Sequence, residues 1–150
     1  MLRDEINSGL KGAMKAGEAR RVSTLRLVNS TIKNADIEAR GHGKTLSDDD
    51  LLGVLQKMIK QRQESIAQFE KASRTDLVDV EKAEVQLLSA YLPAQIGEAE
   101  IQKEIDAAIS GSGASGAKDM GKVMAALKAR LAGKADMGKV SALVRAKLSG

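Results

Sequence analysis

The chain has 150 residues, enough for one ordinary domain or two very small ones, and it is 43% hydrophobic and 29% charged with a net charge of +4. It has no cysteine, which excludes disulfides and thiolate metal sites, and no apolar run long enough to cross a membrane. Because Phe69 and Tyr91 are the only aromatic residues and helix-forming Ala and Leu are abundant, the composition predicts an all-α fold.

Three helices are predicted in the first half of the chain. Apolar side chains recur at helical spacing over residues 2–16, where Gly17 ends the helix, and again over 22–35. The third helix has the clearest start signal, because Ser47 is a good N-cap and Asp50 completes a capping box. Its apolar face continues for about seven turns.

A fourth helix should be capped by Asp76 and stopped by Pro93. The stretch PAQIG (93–97) is predicted to be a short exposed linker and the domain boundary, with Gly97 capping a fifth helix. The Gly/Ser-rich stretch 110–117 is predicted to be a flexible loop.

The last two predicted helices nearly repeat one another. Residues 119–133 align without gaps on residues 136–150, with 9 of 15 positions identical. In each copy an Asp should cap the helix and a Gly should close it, which predicts a helical hairpin whose members pack by the same face. The Gly-Lys pair at each helix start could meet an anion, although simple capping is the plainer interpretation. We expect equivalent burial for Val123 and Val140 and for Leu131 and Leu148.

The charge of the chain is unevenly distributed. Residues 1–61 carry a net charge of +3, residues 62–110 carry −5 and residues 111–150 carry +6. A strongly basic C-terminal segment indicates an anionic partner, and the alternative is a lysine-rich face that only contacts solvent.

Two stretches imitate phosphate-binding loops, and neither follows a strand. Residues 111–118 have Ala117 where lysine is needed, and Gly43-Lys44-Thr45 has Glu38 where the first glycine is needed. The Gly/Ser loop also suggests an amidase nucleophile, but it lacks a rigidly placed base. His42 is the only histidine, so a zinc site is improbable. The sequence predicts no catalytic residue, no metal site and no cofactor.

The amino-acid sequence resembles the YqeY family over almost its whole length. Residues 46–93 and 119–136 resemble it most, and residues 23–41 fit as well. The most specific pieces are IKQRQESIAQFEKA, EKAEVQLLSAYLP and DMGKVM. One departure is Ser73, where the family usually has glycine, and it concerns the turn between the third and fourth helices.

This resemblance implies a four-helix N-terminal bundle at 1–93 and a small three-helix domain at 97–150. The family shares its fold with the tail of the B subunit of the glutamine-dependent aspartyl/glutamyl-tRNA amidotransferase. In that enzyme the tail helps to hold tRNA, while amide transfer takes place in other domains and in a separate amidase subunit. The family's carbon–nitrogen ligase label is therefore inherited by association, and we expect no enzymatic activity of this chain alone.

We therefore predict an accessory tRNA-binding module, with amidotransferase subunits or an aminoacyl-tRNA synthetase as further possible partners. So few aromatic residues cannot support base stacking, so contacts should be made to phosphate and RNA shape. The basic residues predicted to make them are Lys118, Lys122, Lys128, Arg130, Lys134, Lys139, Arg145 and Lys147.

The alternative is a protein–protein interaction adaptor without RNA binding. Its binding face would be the charged long helix from Lys57 to Lys71, or the acidic run 76–84. The N-terminus carries acids and lacks the apolar core of a secretory signal, so we expect a cytosolic, cytoplasmic protein with no membrane contact.

Overall fold

The computed structural model describes residues 1–149, and every regular element in that range is helical, which confirms the all-α prediction. A 3-10 turn at Ala117–Asp119 precedes the sixth α-helix. The α-helices of the described residues are α1 (Leu2–Ala16), α2 (Ala19–Gly41), α3 (Asp48–Lys71), α4 (Thr75–Ser89), α5 (Glu98–Ser112), α6 (Met120–Leu131) and α7 (Met137–Ser149).

These helices fall into two compact units. The first unit spans Met1–Leu92 and contains α1 to α4, and the second unit begins at Pro93 and contains α5 to α7. The assignment of the two units as a four-helix bundle and an amidotransferase-tail-like domain, with boundaries at 93 and 97, stays a prediction. None of the helices in residues 1–149 is long and apolar enough to cross a membrane.

The start of α3 follows the predicted capping box. The Ser47 Oγ accepts a hydrogen bond from the Asp50 backbone N–H at 3.2 Å, and the Asp50 carboxylate accepts one from the Ser47 N–H at 3.0 Å. Two donors at the helix start are thereby satisfied. The predicted end of α1 is also confirmed, because Gly17 adopts the left-handed conformation with φ 69°.

The predicted cap at Asp76 is wrong. Helix α4 begins at Thr75, and the Asp76 carboxylate accepts hydrogen bonds from the Arg74 guanidinium at 3.0 and 3.2 Å. Asp119 does occupy the N-cap position of α6, but its carboxylate makes no cap hydrogen bond and accepts from the Ser115 N–H at 3.1 Å. Asp136 does cap its helix, through the Gly138 N–H at 2.9 Å.

The predicted flexible loop at 110–117 is shorter than expected. Helix α5 continues through Ser112, whose hydroxyl donates to the Ile109 carbonyl, and Gly113 then ends it with φ 68°. The linker is also partly anchored. The Gln95 side chain donates to the Gly133 carbonyl at 2.6 Å, and the Ile96 N–H donates to the Lys134 carbonyl at 3.1 Å. The second half of PAQIG is therefore hydrogen-bonded to the turn between α6 and α7.

The core of the first unit joins all four of its helices. At the end of the apolar stripe of α1, Ala13 is 1% exposed, whereas its neighbour Met14 is 53% exposed. The buried side chains of this core are Leu2, Ile6, Leu25, Val28, Ile32, Leu51, Leu55, Met58, Ile59 and Leu88.

Tyr91 closes one side of this core. It packs against the core at a point where α1 has a glycine, and a Cβ added to Gly9 would clash with the Tyr91 hydroxyl oxygen. Gly9 is therefore needed for this close approach.

Arg62 lies on the apolar face of α3 and is buried. Its Nε donates to Glu84 of α4 at 2.9 Å, and its Nη1 donates to the Met58 carbonyl at 3.2 Å. The charge is thus paired and hydrogen-bonded, as a buried charge must be.

The second unit has its own core, and the repeat contributes to it. Val123 and Val140 are both 0% exposed, which confirms their predicted equivalence. Leu131 is 1% exposed and Leu148 only half-buried, so that predicted equivalence is wrong. Leu131 leads into a turn that contributes another buried residue, whereas Leu148 is followed by an exposed serine. The buried side chains are Ile101, Ile105, Ala108, Val123, Leu127, Leu131, Ala135, Val140 and Val144.

Candidate nucleic-acid interface

All the predicted RNA-binding side chains lie in the second unit, and all are exposed. One precedes α6 in the 3-10 turn, three lie on α6, one lies in the turn between α6 and α7, and three lie on α7. In that order they are Lys118, then Lys122, Lys128 and Arg130, then Lys134, then Lys139, Arg145 and Lys147.

The buried face of each helix explains why these cations point outward. On α6 the buried residues Val123, Leu127 and Leu131 are spaced by four, so they form one stripe. Lys122 precedes the stripe by one position and therefore lies on the opposite side of the helix. The repeat places Lys139 in the same way on α7, beside Val140.

Helix α5 supplies acidic partners to three of the cations. Arg130 Nη1 lies 3.3 Å from Glu104 Oε2, and Lys139 Nζ lies 3.8 Å from Glu98 Oε2. Lys147 Nζ pairs with Asp106. Arg130 and Lys147 hold matching places in the repeat, so the two helices use the same position to contact α5. Exposed pairs of this kind add little stability, but they reduce the positive charge available to a ligand.

Four other cations make no ion pair with any side chain among residues 1–149; they are Lys118, Lys122, Lys134 and Arg145. Lys128 does have a polar partner. From position 93 to 149 the sequence carries nine basic and six acidic side chains, so this part of the chain keeps a net charge of +3. The predicted residues are thus exposed together, but they are not equally available.

Sequence reasoning missed the pairing with α5. Glu98, Glu104 and Asp106 lie 26 to 41 positions from their partners, beyond any local pattern. The one available signal was the reversal of charge between the segments before and after residue 110. Opposite charges on neighbouring helices of one small unit favour contact between them.

The His, Asp and Glu side chains of the described residues form no candidate metal site, since no group of three or more of them could hold a metal ion. The Ser112 hydroxyl is bonded to its own helix, and His42 is exposed at the end of α2.

Two carboxyl groups with displaced pKa values lie in the first unit. Hydrogen bonds from Arg3, at 2.6 and 2.8 Å, lower the pKa of Asp36 below its ordinary value. Hydrogen bonds from Arg74 likewise lower the pKa of Asp76. Both shifts come from ion pairs that keep the carboxylate charged, which suits a structural role and not a proton-transferring one.

Two of the four acids in the run predicted as an adaptor face are paired within its own hairpin. Asp76 pairs with Arg74 at 3.0 Å, and Glu84 pairs with the buried Arg62. Between them, Lys82 lies 3.8 Å from Glu70 of α3. These contacts leave less free acidic surface there than the sequence indicated.

Comparison with known proteins gives a family match and several relatives. The family model described as Yqey-like protein matches residues 3–148. A relative from Pyrenophora tritici-repentis, named "Altered inheritance of mitochondria protein 41, mitochondrial", is 32% identical over 83% of this chain and 70% of its own length. Proteins of the same name from Lachancea thermotolerans and Kluyveromyces lactis are 39% and 42% identical, over 70% and 59% of this chain. The chain spans 54% and 47% of those two relatives, or about half.

These relatives contradict the prediction of a cytosolic, cytoplasmic location, because their names describe mitochondrial proteins. The prediction rested on the absence of a secretory signal at the N-terminus. Such an absence argues against secretion, but it does not distinguish among the compartments inside a cell.

Proposed function

The chain belongs to the YqeY-like family, and from this premise we propose that it is an accessory tRNA-binding module that acts without catalytic chemistry of its own. The observation that supports the proposal most directly is the set of exposed lysines and arginines on α6, on α7 and in the turns beside them. An exposed array of cations on a small helical unit suits the RNA backbone, whose affinity comes mainly from phosphate contacts.

The kind of contact follows from the residue types. Phe69 and Tyr91, the only aromatic residues, both lie in the first unit, so the second unit has no aromatic side chain on which a base could stack. Binding through this unit would therefore depend on phosphate positions and RNA shape, with little dependence on base sequence.

Within the basic set we assign the phosphate contacts to the cations without ion pairs. Arg130, Lys139 and Lys147 already face carboxylates of α5, so an incoming phosphate would have to compete with those acids. When a cation must give up a carboxylate in order to bind a phosphate, the new contact adds less binding free energy than a phosphate contact made by an unpaired cation. Lys118, Lys122, Lys134 and Arg145 have no such competitor, and three of these four, Lys118, Lys122 and Arg145, are the ones to replace in a test.

The module would serve chemistry that other proteins perform. The family resemblance makes amidotransferase subunits or an aminoacyl-tRNA synthetase the partners to examine, with carbon–nitrogen bond formation located on the partner. Mitochondria translate with tRNA of their own, so the proposal is compatible with the compartment named for the relatives.

The test compares two triple variants that remove the same charge from the same unit. Lys118→Gln, Lys122→Gln and Arg145→Gln together should weaken tRNA binding and reduce the salt slope by about 2–3, at roughly 0.7–0.9 per lost phosphate contact. The matched control, Arg130→Gln with Lys139→Gln and Lys147→Gln, lowers the net charge equally and should leave the slope nearly unchanged. Filter binding of two unrelated tRNAs at several salt concentrations measures both quantities.

Each outcome has a definite meaning. No measurable binding by the parent chain at low salt would end the tRNA proposal and favour the protein-adaptor alternative. Binding that both triple variants reduce alike, slope included, would keep the function and reject our division of the basic residues. A large difference between the two tRNAs would contradict recognition through phosphate alone.

A further inference from the structure

Exposed large hydrophobic side chains are concentrated on one side of the first unit. Among the described residues there are four, and one of them is Met1. The other three are Met14, Leu27 and Ile37, which are 53%, 49% and 56% exposed. Leu27 and Ile37 both lie on α2, on the side away from its buried residues Leu25, Val28 and Ile32.

The exposed residues of α2 follow a heptad spacing. Ser23, Leu27, Ser30, Asn34 and Ile37 are separated alternately by four and three positions, and all five are exposed. We call them the outer stripe. This spacing keeps side chains in line along one face of a helix, and two of the five, Leu27 and Ile37, are apolar. The stripe covers about 21 Å, at 1.5 Å per residue, which matches about two heptads of a partner helix.

A hollow lies at the first end of the outer stripe. It has a volume of about 470 Å³, is open to solvent, and is lined by Met14, Gly17, Ala19, Val22, Ser23 and Arg26. Met14 therefore adjoins the stripe through Ser23. A hollow with apolar side chains beside a helix seam can receive a large side chain of a second helix.

A row of positive charge runs along one edge of the outer stripe. Arg26, Lys33 and Arg40 are spaced by seven positions and are all exposed, and we call them the basic row. No ion pair joins them to another side chain of residues 1–149. In heptad terms they occupy the g position, which faces charged residues of a partner helix. Asp36, whose carboxylate interacts electrostatically with Arg40, is already bonded to Arg3.

We propose that the outer stripe and the basic row dock an acidic amphipathic helix of a partner protein. Apolar side chains of that helix would cover Leu27 and Ile37 and enter the hollow beside Met14, while its carboxylates would face the basic row. Asn34, in the middle of the seam, would pair with a polar residue and fix the register. This surface lies in the first unit and does not depend on the tRNA proposal.

Charge distinguishes this occupant from a second copy of the chain. Two α2 helices packed antiparallel would bring their basic rows face to face, and like charges opposed in this way disfavour association. In a parallel pair the positions opposite the basic row would be Thr24, which is buried, Thr31 and Glu38, of which only Glu38 is acidic. An acidic partner helix satisfies all three cations.

The test uses the full chain and two synthetic helical peptides of about 21 residues, or three heptads. Both have Leu at positions a and d; one has Glu at e and g, and the other has Lys there. By fluorescence anisotropy the Glu peptide should bind at least about tenfold more tightly than the Lys peptide. Leu27→Gln with Ile37→Gln should abolish binding, and both residues are exposed, so the helix content by circular dichroism should be unchanged.

Reversing the charge of the basic row tests whether these three cations determine which peptide binds. Arg26→Glu, Lys33→Glu and Arg40→Glu together should invert the preference, so that the Lys peptide binds more tightly. The matched control, Lys11→Glu with Lys57→Glu and Lys71→Glu, changes the charge of the same unit equally and should keep the original order of the two peptides. Equal binding of both peptides, or binding of neither, would overturn the proposal. Dimerisation of the parent chain that Leu27→Gln and Ile37→Gln removes would assign the stripe to a second copy.

Discussion

Ser73, in the turn between α3 and α4, has a backbone conformation that glycine adopts more easily than serine. Its φ is 56°, and it is the only non-glycine residue of the described chain with a positive φ. In this region the Cβ of an L-residue crowds the backbone, at a cost of about 1–2 kcal/mol. The sequence had indicated this position as the place where the family usually has glycine, and the turn geometry gives the reason.

Replacing Ser73 by glycine should therefore stabilise the first unit. The relief of strain exceeds the added flexibility of glycine in the unfolded chain, so we expect a gain of about 0.5–1 kcal/mol in the free energy of unfolding. Urea denaturation followed by circular dichroism measures it. The control is Ala67→Gly, an exposed position inside α3, which should lose about 1 kcal/mol. A loss of stability on Ser73→Gly would show that the serine side chain contributes more than its conformation costs.

Single residues also show how far sequence alone could go. Asp119 and Asp136 begin identical strings, Asp-Met-Gly-Lys-Val, and the same cap was predicted for both. Asp119 does occupy the N-cap position of α6, but only the Asp136 side chain bonds to a backbone N–H of its helix, while the Asp119 carboxylate bonds to the Ser115 N–H. The difference lies in the preceding residues, which form a 3-10 turn in one case and a short connection from α6 in the other. A cap depends on the path by which the chain enters the helix, which a local pattern does not contain.

At the scale of elements, the α6–α7 repeat allows a matched comparison of burial. Leu131 and Leu148 hold the same place in the two copies, but Leu131 is 1% exposed and Leu148 is half-buried. Leu131→Ala should cost about 2–5 kcal/mol, whereas Leu148→Ala should cost less than half as much, because less of its side chain leaves an apolar contact. Chemical denaturation of both variants, followed by circular dichroism, measures the difference. Equal losses would contradict the asymmetric packing of the repeat.

At the scale of elements, only part of the candidate site could be predicted from the sequence. That Lys122 and Lys139 face outward follows from the apolar spacing within each helix, so it was predictable. That α5 neutralises Arg130 and Lys147 depends on how three helices pack, which spacing within one helix does not determine. The sequence therefore predicted that these cations face outward, and it overestimated their available charge because it did not show the pairing with α5.

At the scale of the whole molecule, the connections between helices determine where the chain is vulnerable. Residues 113–116 lie between α5 and the 3-10 turn, and Ala94 lies in the exposed start of the linker. Limited proteolysis with a non-specific protease should cut first at these two places, because cleavage needs several residues of unpaired, extended backbone. Mass spectrometry of the early fragments identifies the sites. Early cuts within residues 50–70 would contradict the organisation of the first unit and the predicted boundary near the linker.

The position of Tyr91 over Gly9 also determines how this molecule can be observed. The chain has one tyrosine and no tryptophan, and that tyrosine lies in the first unit. Its ultraviolet emission therefore reports the state of one unit only, while the other contributes no aromatic signal. Far-ultraviolet dichroism detects the helices of both. An unfolding curve recorded in the two ways on the same sample thus separates the melting of the two units without any label, and the two traces coincide only if the units melt together.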